Sequence, residues 1–101
     1  MVKLVVGYGT PSDPAAFDAY FASTHTPLTL KIPGLRRFET GKVVGTPDGS
    51  TAPFYFIAEL LFDDAEALQA GLASPEGQAT AADVPNYASG GVTLMIAEAQ
   101  A

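Results

Sequence analysis

The sequence predicts an α+β domain in which two helices lie on one face of a four-stranded antiparallel sheet. Three observations carry this reading: a β-branched run over 2–8, a strand run over 54–62 that is largely apolar on both faces, and two acid-led helix starts at Asp13-Pro14 and Asp63. With 101 residues, a single domain spanning 1–101 is the natural count, because one core usually runs to about 100–150 residues. An apolar fraction of 48% is enough for a packed core rather than a disordered chain.

In chain order, Val2 to Tyr8 places Val2, Leu4, Val6 and Tyr8 on one strand face and Lys3, Val5 and Gly7 on the other. A turn at Gly9-Thr10-Pro11-Ser12 leads to Asp13, a helix cap followed by Pro14, whose missing N–H costs nothing in the first turn. Phe17, Tyr20, Phe21 and Thr24 recur at helical spacing. The helix is expected to stop near His25, since Pro27 removes a ladder donor and disfavours helical geometry at Thr26.

Pro33-Gly34 then turns the chain into a second strand over Leu35–Val44, and a loop of turn formers, Gly45 to Ser50, leads to a third over Phe54–Phe62. Asp63 with Glu66 has the spacing of a capping box for a helix through Leu68 and Leu72. Ser74-Pro75-Glu76 restarts a helix that runs to Ala82, and a loop containing Tyr87 precedes a last strand over Val92–Ala97. The order β-α-β-β-α-β is the split βαβ, or ferredoxin-like, arrangement. Two helices cover one face only, while the third strand is apolar on both sides. The open sheet face is therefore expected to meet a second copy of the chain.

Composition removes several function classes. There is no cysteine and only one histidine, so thiol chemistry, Cys-based zinc sites and sites needing two imidazoles are excluded. The formal charge is −6, and all five cations fall within residues 1–42, which argues against nucleic-acid binding. The basic group Lys31, Arg36 and Arg37 reads as a solvated face. No apolar run reaches the roughly 20 residues of a membrane span, and the opening MVKLVVGYG lacks a signal peptide's apolar stretch; a soluble, cytoplasmic protein is expected.

The stretch Phe17-Asp-Ala-Tyr-Phe-Ala-Ser-Thr-His25-Thr-Pro-Leu28 and the following Lys31-Ile-Pro-Gly-Leu35 resemble the EthD family, named for ethyl tert-butyl ether degradation. Asp48-Gly49, Ala58-Glu-Leu-Leu-Phe62-Asp-Asp, Leu68 and Ser74-Pro-Glu-Gly77 leading to Asp83 continue the likeness over nearly the whole chain. The resemblance implies a ferredoxin-like unit that pairs sheet to sheet as a dimeric α/β barrel. Its wider superfamily holds cofactor-free monooxygenases, cyclases, isomerases and haem-handling proteins, so the fold alone does not assign a reaction. No cofactor and no metal are expected here. A haem would have His25 as its sole imidazole ligand, and no basic pair awaits the propionates.

His25 is the leading candidate for proton transfer, because imidazole alone titrates near neutrality. At a helix C-terminus its ring could equally cap the last carbonyls, and there the helix dipole would favour imidazolium. Tyr8, Tyr20, Tyr55 and Tyr87 are candidates to steady a developing oxyanion, Tyr20 and Tyr87 first among them, and Phe17, Phe21, Phe54, Phe56 and Phe62 to line an aromatic pocket. Glu59, on an apolar strand face, is expected to pair with Arg36, Arg37, Lys42 or a partner subunit. These residues suggest a small dimeric enzyme, cofactor-free or accessory, acting on small hydrophobic carbonyl or aromatic compounds. The alternative is a non-catalytic carrier that holds a hydrophobic metabolite for a partner oxygenase.

Overall fold

A computed structural model describes residues 1–100. The sheet is antiparallel with strand order β2-β3-β1-β4, built from β1 (Val2–Tyr8), β2 (Arg37–Lys42), β3 (Phe56–Phe62) and β4 (Val92–Glu98). β1 and β3, the two most apolar strands on the helix-covered face, are the interior pair, and β1 lies between β3 and β4. It pairs Tyr8 with Phe56 on one side and with Val92 on the other. Since residues directly opposite share a face, Val6, Tyr8, Ala58, Leu60 and Phe62 form one buried surface beneath the helices. The ferredoxin-like arrangement expected from the sequence is the arrangement found. The β2 and β3 strands are shorter at their loop ends than the alternation alone suggests.

The first helical region is longer than expected. α1 (Pro14–Tyr20) is capped by Asp13, whose carboxylate accepts from the Ala16 N–H at 3.1 Å. It passes into a π-helical turn, Phe21–His25, and then into α2 (Thr26–Thr29). Pro27 does not end the helix. It falls in the first turn of α2, where a missing donor is tolerated, and the widened turn before it closes through the Thr26 N–H on the Phe21 carbonyl. The result aligns a stripe. A spacing of four overshoots an α-helical turn by about 40°, or about 120° from Phe17 through Phe21 and His25 to Thr29. The π turn takes back part of that drift, and all four residues are buried. Thr24, expected on the same face, is exposed.

α3 (Ala65–Ala73) is capped by Asp64 rather than Asp63: Asp64 Oδ1 accepts from the Ala67 N–H at 2.8 Å. Asp63 is released to hold Arg36 through two bonds of 3.0 and 2.8 Å. Glu59 pairs with Lys3 of β1 at 3.1 Å, not with a cation of β2. The reason is register: Glu39 stands directly across from Glu59 and draws Arg37 to itself at 3.4 Å. α4 (Pro75–Asp83) starts at Ser74, whose hydroxyl accepts from the Gly77 N–H at 3.0 Å, and a 3-10 turn over Val84–Asn86 follows.

Phe54 crosses to the other side of the sheet. A Cβ on Gly7 would lie 2.7 Å from its ring, so Phe54 covers the bare backbone there. β4 is an edge strand whose apolar side chains remain open on both faces, with Leu94 59%, Ile96 54% and Met95 52% exposed. No helix among the described residues is long and apolar enough to cross a membrane.

The α3–α4 junction depends on Gly77, where a Cβ would collide with the Gly71 carbonyl and sit 2.7 Å from the Leu72 carbonyl oxygen. Both are backbone atoms that cannot turn aside. Gly77→Ala is expected to lower stability by about 1–3 kcal/mol, seen as an earlier urea midpoint. An unchanged midpoint would mean that the two helices can separate freely.

Candidate functional site

Between the helix-covered sheet face and α4 lies a cavity of about 350 Å³. Its walls are mostly aliphatic, including Leu4, Val6, Leu60, Leu72 and Leu94, and no Lys, Arg, Asp or Glu lines it. The size fits a small organic molecule, and the lack of fixed charge suits an uncharged one. His25 enters the wall from the π turn and is only 4% exposed.

Behind His25 stands Asp83, the last residue of α4. His25 Nδ1 is 3.0 Å from Asp83 Oδ2. The other carboxylate oxygen accepts from Tyr20 Oη at 2.5 Å and from Asn86 Nδ2 at 3.0 Å. Burial acts to raise the Asp83 pKa, yet the hydrogen bonds from Tyr20, Asn86 and His25 outweigh it and hold the carboxyl below its ordinary range. An ionised carboxylate only accepts, so the imidazole must place its proton on Nδ1. Nε2 then carries the lone pair. It has no protein partner and is not sealed off among the described residues, so it opens on the cavity that His25 lines.

The imidazole is therefore not a helix cap, and it is not favoured as imidazolium. Burial lowers its pKa below the usual 6.5, with Asp83 opposing only in part. The helix dipole loses its expected influence because the helix continues past His25 to Thr29.

The predicted site residues adjoin one another but line different cavities: the Tyr87 ring lies 4.7 Å from that of His25, centroid to centroid. Tyr20 and Tyr87 are stacked with ring centroids 5.6 Å apart and line a second, smaller cavity of about 230 Å³ with Ser12, Asp13, Asn86 and Ser89. Neither lines the main one. The Tyr87 hydroxyl is 2.7 Å from that of Tyr8, which does line the main cavity. Of the five phenylalanines, none lines the main cavity and only Phe17 lines the second. Phe17, Phe21 and Phe56 pack edge-on or tilted about Tyr8 behind the site, Phe62 lies under α3, and Phe54 is on the opposite sheet face. Phe17, Phe21, Phe56 and Phe62 fill the core or pack against it, and the aromatic side chains of the sheet that do line the main cavity are Tyr8 and Phe38. The residue missed by sequence reasoning is Asp83. Its one signal was that of a lone acid in an otherwise small and apolar helix end.

A ferredoxin-like α+β domain with an uncharged internal cavity and one carboxylate-backed imidazole is the class that these features define. Residues 10–91 match the EthD domain, and the chain belongs to the EthD family. It is 48% identical over 99 residues to an uncharacterised 11.0 kDa protein of Rhodococcus erythropolis encoded between thcB and thcC, covering 97% of this chain and 94% of that one. The crystal structure of an EthD family protein from Bacillus halodurans superposes with a TM-score of 0.92 at 43% identity, covering 99% of each chain. SnoaB of Streptomyces nogalater, a cofactor-independent oxygenase, shares the fold with a TM-score of 0.71 at 20% identity, over 99% of this chain and 93% of that one.

The single histidine makes its titration directly observable by NMR. Its folded pKa is expected below 6.5. Because the unfolded chain takes the proton first, the stability due to neutral His25 is complete above 6.5 and declines as pH falls through that value toward the folded one. A folded pKa at or above 6.5 would contradict the burial argument.

Proposed function

We propose that this chain is an acid/base enzyme acting on small, uncharged, hydrophobic carbonyl or aromatic compounds held in the main cavity. The observation that carries the reading is the neutral imidazole of His25, with Nε2 open to an apolar cavity and Nδ1 tied to Asp83. Nε2 removes a weakly acidic proton from the bound compound, and Asp83 stabilises the imidazolium that forms. Tyr20 acts at one remove. Its hydroxyl proton is given to Asp83, so it positions the carboxylate rather than meeting the ligand. SnoaB carries out oxygenation without a cofactor on the same fold, which is consistent with side-chain chemistry in such a cavity.

The reaction can be tested without the natural substrate. Acetophenone carries weakly acidic methyl protons, and their exchange in D2O is read by NMR. The wild-type chain is expected to accelerate exchange, with a rate that rises with pH through the folded His25 pKa and then levels. His25→Ala is expected to lose about 10²-fold or more of the acceleration, and Asp83→Asn to lose part of it. Saturable binding with no exchange would favour the carrier reading instead.

The chain is further proposed to act as a homodimer. Ile57 and Met95 are exposed on the sheet face that no helix covers, and β4 leaves Leu94 and Ile96 bare beside the cavity mouth. A surface of this kind is unusual on a monomer, and an unprotected edge strand invites pairing. Sedimentation at micromolar concentration is expected to give the mass of two chains, reduced to one by Met95→Glu combined with Ile57→Glu. A wild-type monomer would remove the proposal.

A further inference from the structure

A base that creates negative charge on a ligand's oxygen needs a donor facing that oxygen. Four residues with polar side chains line the main cavity: Tyr8, His25, Thr29 and Thr80. Three of them have no proton to give. Thr29 Oγ1 donates to the His25 carbonyl at 3.0 Å, and Thr80 Oγ1 donates to the Glu76 carbonyl at 2.8 Å. His25 presents a lone pair, since its proton faces Asp83. Tyr8 is left.

The Tyr8 oxygen lies 2.7 Å from that of Tyr87, and only one proton can sit between them. Tyr87 faces the second cavity and has no other hydroxyl partner among the described residues. If Tyr87 supplies the shared proton, the proton of Tyr8 is free to point into the main cavity. The chain from Tyr87 to Tyr8 to the ligand's oxygen then runs in one direction, and each bond polarises the next. The opposite direction would turn a lone pair of Tyr8 toward a carbonyl oxygen, which repels it.

We propose that Tyr8 donates the hydrogen bond to the ligand's oxygen, with Tyr87 holding it in the donating orientation. This rests on the acid/base reading above and names the second group of that site. In the proton-transfer step, Nε2 of His25 takes the proton from carbon. The C–H electron pair becomes the new C=C bond, the carbonyl π pair moves onto oxygen, and Tyr8 O–H holds the resulting enolate. Both phenols stay protonated at neutral pH, because burial raises the pKa of each. Tyr8 is 2% exposed and is packed edge-on by Phe17 and Phe21, so its ring is held in place.

The test is the infrared carbonyl stretch of acetophenone labelled with 13C at the carbonyl and bound to the full chain. In the wild type, the band is expected below its position in hexane. Tyr8→Phe, which keeps the ring, should return it to the hexane position, and Tyr87→Phe should leave an intermediate shift. Thermal unfolding of each variant, together with NMR titration of the ketone, confirms that a folded, occupied protein is being read. A bound ketone with no shift in the wild type, or a shift unaltered by Tyr8→Phe, overturns the role of Tyr8 and leaves the cavity reading standing. Reversion in Tyr87→Phe but not in Tyr8→Phe overturns it by placing the donor on Tyr87. Failure of acetophenone to bind the wild type at millimolar concentration overturns both proposals.

Discussion

The carboxylate of Asp83 is the constraint on which the rest of this structure turns. It is nearly buried, and it accepts hydrogen bonds from three parts of the chain: Tyr20 at the end of α1, His25 in the π turn, and Asn86 in the turn after α4. A buried negative charge without donors is expensive, so each partner is obliged to be where it is. The same bonds that satisfy the charge fix the angle between the first helical region and α4, and with it the shape of the cavity between them. Removing any one donor leaves the carboxylate under-satisfied in a poorly solvated site, where the penalty is larger than the bond's net contribution would suggest.

The π turn is the second half of this arrangement. Without it, the four-residue spacing from Phe17 to Thr29 would carry His25 around the helix and away from Asp83. The wide turn costs helix regularity, and such turns are frequent at functional sites. Here Pro27 gives the widening a cause in the sequence, because a regular helix would need a donor that proline lacks and would press the ring against the carbonyl of Ser23. The proline thus shapes the turn that aims the histidine.

The fold was largely legible because it rests on periodicity. β1 is the short β-branched run over Val2–Tyr8, and the Ser74-Pro75 start of α4 is where a capping hydroxyl and a proline place it. Legibility fails where the deciding partner is distant in sequence. Asp63 and Asp64 are equivalent as local caps, and Arg36, twenty-seven residues earlier, settles the choice by binding Asp63. Glu59 could not choose between β1 and β2 until strand order was known. The site was half legible: His25 stands out by chemistry alone, but Asp83 is paired to it across fifty-eight residues, and its standing as a lone acid in an apolar helix end does not name its partner.

Charge placement bears on the neutral ligand proposed for the cavity. Lys3, Arg36, Arg37 and Lys42 are each engaged by a carboxylate, and none of the five cations lines the cavity. The one negative charge near the cavity, Asp83, is screened from it by the imidazole. This has a consequence for proton transfer. Burial that lowers the His25 pKa keeps the ring neutral and ready at neutral pH, but it also weakens the ring as a base. Asp83 offsets that loss at the moment of transfer, because a charge a few ångströms away in a medium of low dielectric acts far more strongly than it would in water. The imidazole is thus kept uncharged while it waits and is supported once it becomes charged.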